Sequence, residues 1–229
     1  MSARSRIFTL VMLAIATLLT ACTGTPFSTD NGPASDGVPK PLHRIESSAE
    51  DIIDLAPAGS WSQVGKKITT ITTAWDAYQP QAATAGASQT HQQALSSALD
   101  RLRTAAAAKD AAITRQAAND LGAAVLDLFA LYNPTTPPDI GRLDVLERQI
   151  VLDVAANNFN AAAASFAKTK ATWENVKPSI LSHNGKSVVE KFESSLAIQD
   201  SSLQAQDIAA LTAEVNVGLE LVDELEKLY

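Results

Sequence analysis

Seven residues near the end of the chain, Ile208, Leu211, Val215, Gly218, Val222, Leu225 and Tyr229, follow one another at alternating intervals of three and four. That spacing lines up one stripe of an α-helix, whereas in a strand it would scatter the same side chains over both faces. Sustained over several turns, it forms a single seam that must be buried against other helices. Trp61, Val64, Ile68, Ile71 and Trp75 repeat the pattern, as do Leu143, Leu146, Ile150 and Val154. From residue 45 to 229 no run of β-branched and aromatic residues alternates with polar ones. The expected fold is therefore an all-α helical bundle, and about 185 residues suffice for one sizeable core.

Turn chemistry divides this region. Ser47-x-x-Glu50 has the spelling of a capping box and predicts a first helix starting near Ser47. Pro57 and Gly59 interrupt it, Ser60 recaps, and the face continues to Pro80. Residues 81–90 read as a loop, with helices then beginning near His91 and near Asp110. Asn133-Pro134-Thr135-Thr136-Pro137-Pro138 is the clearest break. Asp139 is expected to cap the longest helix, carried by Phe159, Phe166 and Trp173 towards Pro178. After a loop over 181–185, Ser187-x-x-Glu190 spells a second capping box.

The chain also repeats itself. Residues 108–132 and 205–229 align without a gap, with eight identities including Asp110/Asp207, Asn119/Asn216, Leu128/Leu225 and Tyr132/Tyr229. One residue further out of step, Trp75-x-x-x-x-Pro80 falls on Trp173-x-x-x-x-Pro178, and Ile52 on Ile150. The reading is a duplicated unit of about 97 residues, approximately 45–133 and 139–229, packed about a pseudo-twofold around one shared core. The tracts Ala105–Ala108 and Ala161–Ala164 suit close helix approach. Asn119 and Asn216 are expected to make buried interhelical hydrogen bonds.

The opening of the chain has a different character. Arg4 and Arg6 precede an apolar run from Ile7 to Leu19, too short for a comfortable membrane span. It ends in Leu19-Thr20-Ala21-Cys22, which resembles a bacterial lipobox, and Cys22 is the only cysteine. The resemblance implies a signal peptide over 1–21, a lipid anchor of palmitate type on Cys22, and a place on the extracytoplasmic face of a cell membrane or the periplasmic side of an outer membrane. Several acyl chains hold a soluble domain to a bilayer where one would do so only marginally. Residues 22–44, rich in Thr, Ser, Gly, Pro and Asp, read as a flexible tether with a reach of roughly 25 Å. His43, at its end, is expected to be solvated. With no second cysteine, the domain must stand on its core without disulfides.

Charge narrows the partners. The net charge is −7, and removal of Arg4 and Arg6 with the leader leaves 16 basic against 25 acidic residues, or −9. Such a surface disfavours nucleic acid and any polybasic grip on anionic lipid, so membrane attachment rests on the lipid.

No motif in the chain carries catalytic chemistry. Glu-x-x-His pairs, His-Glu-x-x-His, Gly-x-Ser-x-Gly and Cys-x-x-Cys-His are all absent, and Met1 and Met12 lie in the leader, leaving no axial haem ligand of that kind. His91 and His183, each in a loop of its unit, read as solvated rather than metal-binding. Asp139 to Arg148 is the densest charged stretch; Asp144 and Arg148, four apart, form an ordinary helix-surface pair, and Arg142 with Arg148 is an alternative grip for an acidic ligand. Trp75 and Trp173 read as core, with an aromatic pocket as the alternative. Arg142, Arg148, Asp144, Trp75 and Trp173 are thus the candidate ligand or partner surface. The layout, a secreted duplicated bundle, is similar in architecture to that of imelysin-like proteins. The expectation is a non-enzymatic, membrane-tethered binding or interaction module with no cofactor and an envelope protein as partner. The alternative is an extracytoplasmic metal- or haem-handling protein.

Overall fold

The computed structural model describes residue 34 and residues 36–229. The leader, Cys22 and most of the expected tether lie outside the described residues. Eight α-helices follow in order: α1 (Lys40–Leu55), α2 (Trp61–Ala82), α3 (Gln89–Ala107), α4 (Ala111–Phe129), α5 (Pro138–Ala155), α6 (Phe159–Ser182), α7 (Lys186–Gln204) and α8 (Ile208–Glu226). A 3-10 turn, Ala130–Tyr132, ends α4. The described residues form an all-α helical bundle without a strand, and none of these helices is long and apolar enough to cross a membrane.

Within the bundle, α1 packs on α2 and α4, and α3 on α4; likewise α5 packs on α6 and α8, and α7 on α8. Each set of four closes on its own apolar cluster. The first contains Leu42, Ile45, Ile71, Trp75, Leu102 and Leu128; the second contains Leu143, Ile150, Phe166, Trp173, Phe192 and Leu225. The expected single core is therefore two cores. Between them, the α4/α5 contact combines Val145 and Leu126 packing with a set of polar bonds. Asn119 donates to the Val145 carbonyl at 3.1 Å and to Gln149 at 3.0 Å, and Gln116 donates to Gln149 at 2.8 Å. A twofold relation would match this contact with α8 packed along α1, yet these two helices do not pack along one another.

The two sets nevertheless repeat locally. Helices α5 and α6 start 98 residues after α1 and α2, and α7 and α8 start 97 residues after α3 and α4. Left-handed residues at the helix ends recur at the same intervals: Gly59 and Asn157, Gly86 and Asn184, Lys109 and Gln206. In each of these turns an amide further on bonds back five residues, as Asp110 does to Ala105 (3.2 Å) and Asp207 to Ser202 (3.0 Å). The Asp110 carboxylate then caps α4 by accepting from the Ile113 amide, and Asp207 caps α8 through Ala210, both at 3.0 Å.

Several sequence expectations are corrected. Helix α1 begins at Lys40, seven residues before Ser47, because Val38, Leu42 and Ile45 are wholly buried and Pro41 suits a first turn. The tether expected to run to residue 44 is thus helix from Lys40. Ser47 and Glu50 lie inside α1, and α7 starts after Gly185 rather than at a Ser187 cap. The long helix from Asp139 is two helices, divided at Asn157 (φ 59°), with Asn158 capping α6 through the Ala161 amide. Asp139 sits in the first turn of α5 and pairs with Arg142 at 2.6 Å instead of capping. Pro80 and Pro178 lie within α2 and α6 near their C-terminal ends, where few residues depend on the lost bond.

Candidate functional site

Four parts of the chain converge on one place: the first half of α1, the end of α4, the Pro-rich connection with the start of α5, and the end of α8. A cavity of about 210 Å³ lies among them, lined by Asp36, His43, Glu46, Phe129, Pro137 and Glu226. It adjoins a more open groove of about 710 Å³ that shares Asp36, His43 and Thr136 and reaches Tyr229. Two prolines before α5 hold the connection away from the helix ends, and Gly141 keeps the α5 surface low. A Cβ on Gly141 would stand 2.8 Å from Leu126, so a side chain there would press on α4.

His43 is half-buried, contrary to the expectation of a solvated residue. Its ring meets Phe129 edge-on at 4.8 Å, and its Nε2 lies 3.1 Å from Asp36. Glu46 and then Asp36 raise its pKa, against the opposing effect of burial. One helical turn further along α1, Glu50 faces Arg148 of α5 at 3.9 Å. Arg148 also holds Asp144 at 3.1 Å. The sequence read Asp144 and Arg148 as a solvated pair; the pair is present, but Asp144 is only 8% exposed, in a crevice lined by side chains of α1, α4 and α5. Burial pushes the Asp144 carboxyl up to about 6, with Arg148 opposing and Asp223, Glu46 and Asp54 adding to the rise. Towards the rim, Glu50 and Glu226 shift in the same direction, first from lost solvation and then from carboxylate neighbours.

The cavity is lined by the carboxyls of Asp36, Glu46 and Glu226, an aromatic wall at Phe129 and the imidazole of His43, with Lys40 and Arg44 on the adjoining groove and the partly exposed Asp144–Arg148 pair in a neighbouring crevice. Such a lining accepts hydrogen bonds and positive charge. Among the described residues, no group of three or more His, Cys, Asp or Glu is placed to hold a metal ion.

The remaining candidate residues lie elsewhere. Arg142 bridges the two sets of helices, bonding Asp139 at 2.6 Å and Asp127 of α4 at 2.8 Å. Trp75 is 5% exposed in the first core and Trp173 1% exposed in the second, so the indoles form neither a surface nor a shared pocket. His91 is in the first turn of α3, and His183 follows α6 with its ring 4.3 Å from that of Tyr229. Asn119 is buried, as expected, but Asn216 is exposed, because α4 has α5 as an outer neighbour and α8 has none at that face.

Sequence reasoning missed His43, Glu46, Glu50 and Glu226 as a group. They are distant in sequence, and only the i, i+3 and i, i+4 spacing of the first three on α1 hinted at a common face. It also missed Glu147, which is completely buried. Comparison with family models, curated proteins and solved structures gives no match for this chain.

Proposed function

We propose that this chain is a lipid-anchored, extracytoplasmic, non-enzymatic binding module whose ligand-facing surface is the cleft between α1, the α4–α5 connection and the end of α8. The lipobox spelling at Cys22 supports the anchor. The repeated helix starts and turns support descent from a duplicated unit. The observation that carries the binding reading is the gathering of Glu46, Glu50, Asp144 and Glu226 around Arg148, beside a cavity walled by His43 and Phe129. Carboxyls held partly neutral by burial, and then by their carboxylate neighbours, become anions when a cation arrives, so the cleft favours a positively charged group, such as a lysine or arginine side chain of an envelope protein.

Calorimetry of the lipidated chain in detergent, with a lysine-rich peptide as the probe, tests this. Binding near pH 6 is expected to release protons, seen as a heat that changes with the buffer, and Glu226→Gln with Glu46→Gln is expected to weaken it. Binding without proton release, or equal binding by the double variant, places the partner elsewhere. Metal or haem handling is the second reading and would rest on His43, since His91 and His183 lie outside the cleft lining.

A further inference from the structure

We propose that Glu147 and Gln199 form a proton-held latch in the second four-helix core: a neutral carboxylic acid paired with a carboxamide, whose ionisation loosens α7 and α8 from α5. Glu147 of α5 and Gln199 of α7 are both 0% exposed. Gln199 Nε2 donates to Glu147 Oε1 at 3.1 Å. From α8, Gly218 faces the same carboxyl, and a Cβ there would stand 3.0 Å from it. Three helices therefore close on one carboxyl group, and only a glycine leaves room for it.

Two buried acceptors in this pair have no donor, Glu147 Oε2 and Gln199 Oε1. An unsatisfied buried acceptor is costly, and an unpaired buried charge far more so. A proton on Oε2 would turn one of these acceptors into a donor, and an acid–amide pair exchanging two hydrogen bonds is the arrangement this proposal assigns to them.

Gln199 favours the carboxylate through its hydrogen bond, but burial outweighs it. The charges acting on Glu147 are Asp144 on its own helix and Glu214 on α8, both acids. On α7, Ser195 accepts from Gln199 at 3.4 Å and donates to the Glu214 carbonyl. On α6, the buried hydroxyls of Ser165 and Thr169 are used by Asp153 and the Ser165 carbonyl. On the α4 side, Asn119 and Gln116 bond to Val145 and Gln149 of α5. Burial accordingly pushes the Glu147 carboxyl up to about 8.

The packing itself does not demand this pair. At the intervals that relate the two sets of helices, Glu147, Gln199 and Gly218 correspond to Ala49, Leu102 and Leu121, which are apolar and buried. The first core closes without polar groups at these positions, so the acid and amide are a feature of the second core alone.

The sign of the effect follows from proton counting. The closed state keeps the proton, while an exposed glutamate loses it above its ordinary value of about 4.3. Opening of α7 and α8 therefore releases a proton and becomes more favourable as pH rises, by up to tenfold per pH unit until Glu147 ionises in the closed state.

The test uses the full lipidated chain in detergent micelles. Carboxyl-carbon NMR is expected to show Glu147 still protonated at pH 6.5 and titrating near 8; titration in the ordinary glutamate range overturns the proposal. Hydrogen exchange of α7 and α8 amides between pH 5.5 and 7.5, corrected for intrinsic rates, is expected to lose one proton's share of its pH slope in Glu147→Gln. An unchanged slope overturns the proposal as well. Should that variant fail to fold, the carboxyl titration of the unsubstituted chain decides by itself.

Discussion

The Arg148 guanidinium lies 3.1 Å from the Asp144 carboxylate, one turn away on α5, and this pair is partly exposed in a crevice that α1 and α4 also line. Glu50 approaches the same guanidinium from α1 at 3.9 Å. Replacing Arg148 by methionine keeps much of the side chain's bulk and removes its charge. With the pair partly exposed, the expected loss at pH 7 is about 1–3 kcal/mol, below that of a fully buried pair. The loss is expected to shrink at pH 5, where Asp144 and Glu50 are largely protonated. Urea unfolding at the two pH values measures it, and an equal loss at both would show that Arg148 acts by packing alone.

Asp144 is pushed up to about 6 and Glu147 to about 8, with Glu50 and Glu226 shifted in the same direction. A carboxyl whose folded pKa is raised binds more protons in the folded chain than in the unfolded one. Stability is then greatest below the ordinary carboxylate range and declines as pH rises through the raised values. His43, also raised, adds to the same trend because its stabilising charge is lost on the alkaline side. The midpoint of thermal unfolding is expected to be higher at pH 5 than at pH 8. A flat or rising profile would contradict the burial of these groups.

Asn119 and Asn216 occupy matching places in α4 and α8, yet Asn119 is 2% exposed and bonds across to α5, while Asn216 faces solvent. Asn119→Ala removes a donor from the Val145 carbonyl and from Gln149, and is expected to cost about 1–3 kcal/mol. Asn216→Ala is expected to fall within about 0.5 kcal/mol of the parent. Chemical denaturation of the two variants side by side gives the comparison, and equal costs would mean that α4 does not seat on α5 in this way.

Asp110 and Asp207 each cap a helix through one amide at 3.0 Å, at equivalent turns. Alanine at either position is expected to cost about 1 kcal/mol, and the double replacement close to the sum, because the caps lie in separate sets of helices. A double variant far weaker than the sum would reveal coupling between the two cores.

The local spelling of the chain specified a good deal. The three-and-four spacing of α8 predicts a buried seam; Leu211, Val215, Gly218, Val222 and Leu225 are buried in it, while Ile208, at the first helical position, is 41% exposed. Asp110 and Asp207 stand where the sequence places helix starts. Each of these outcomes depends on contacts within one or two helical turns, and sequence records such contacts directly. The candidate cleft left almost no local trace, since it draws on α1, α4, α5 and α8 at once.

What the sequence determined by itself is the helical class, the positions of most turns and the stripe that each helix buries. Tertiary structure alone decided which helices meet. It drew α1 back to Lys40 because Leu42 and Ile45 complete the first core, and it split the apolar stripes into two cores. It also buried Glu147 where the pattern placed a solvated charge, and gave Asn119 a partner that Asn216 lacks. Periodicity fixes which residues share a face of a helix. Whether that face meets water, an apolar core or a row of carboxylates depends on elements far away in the chain.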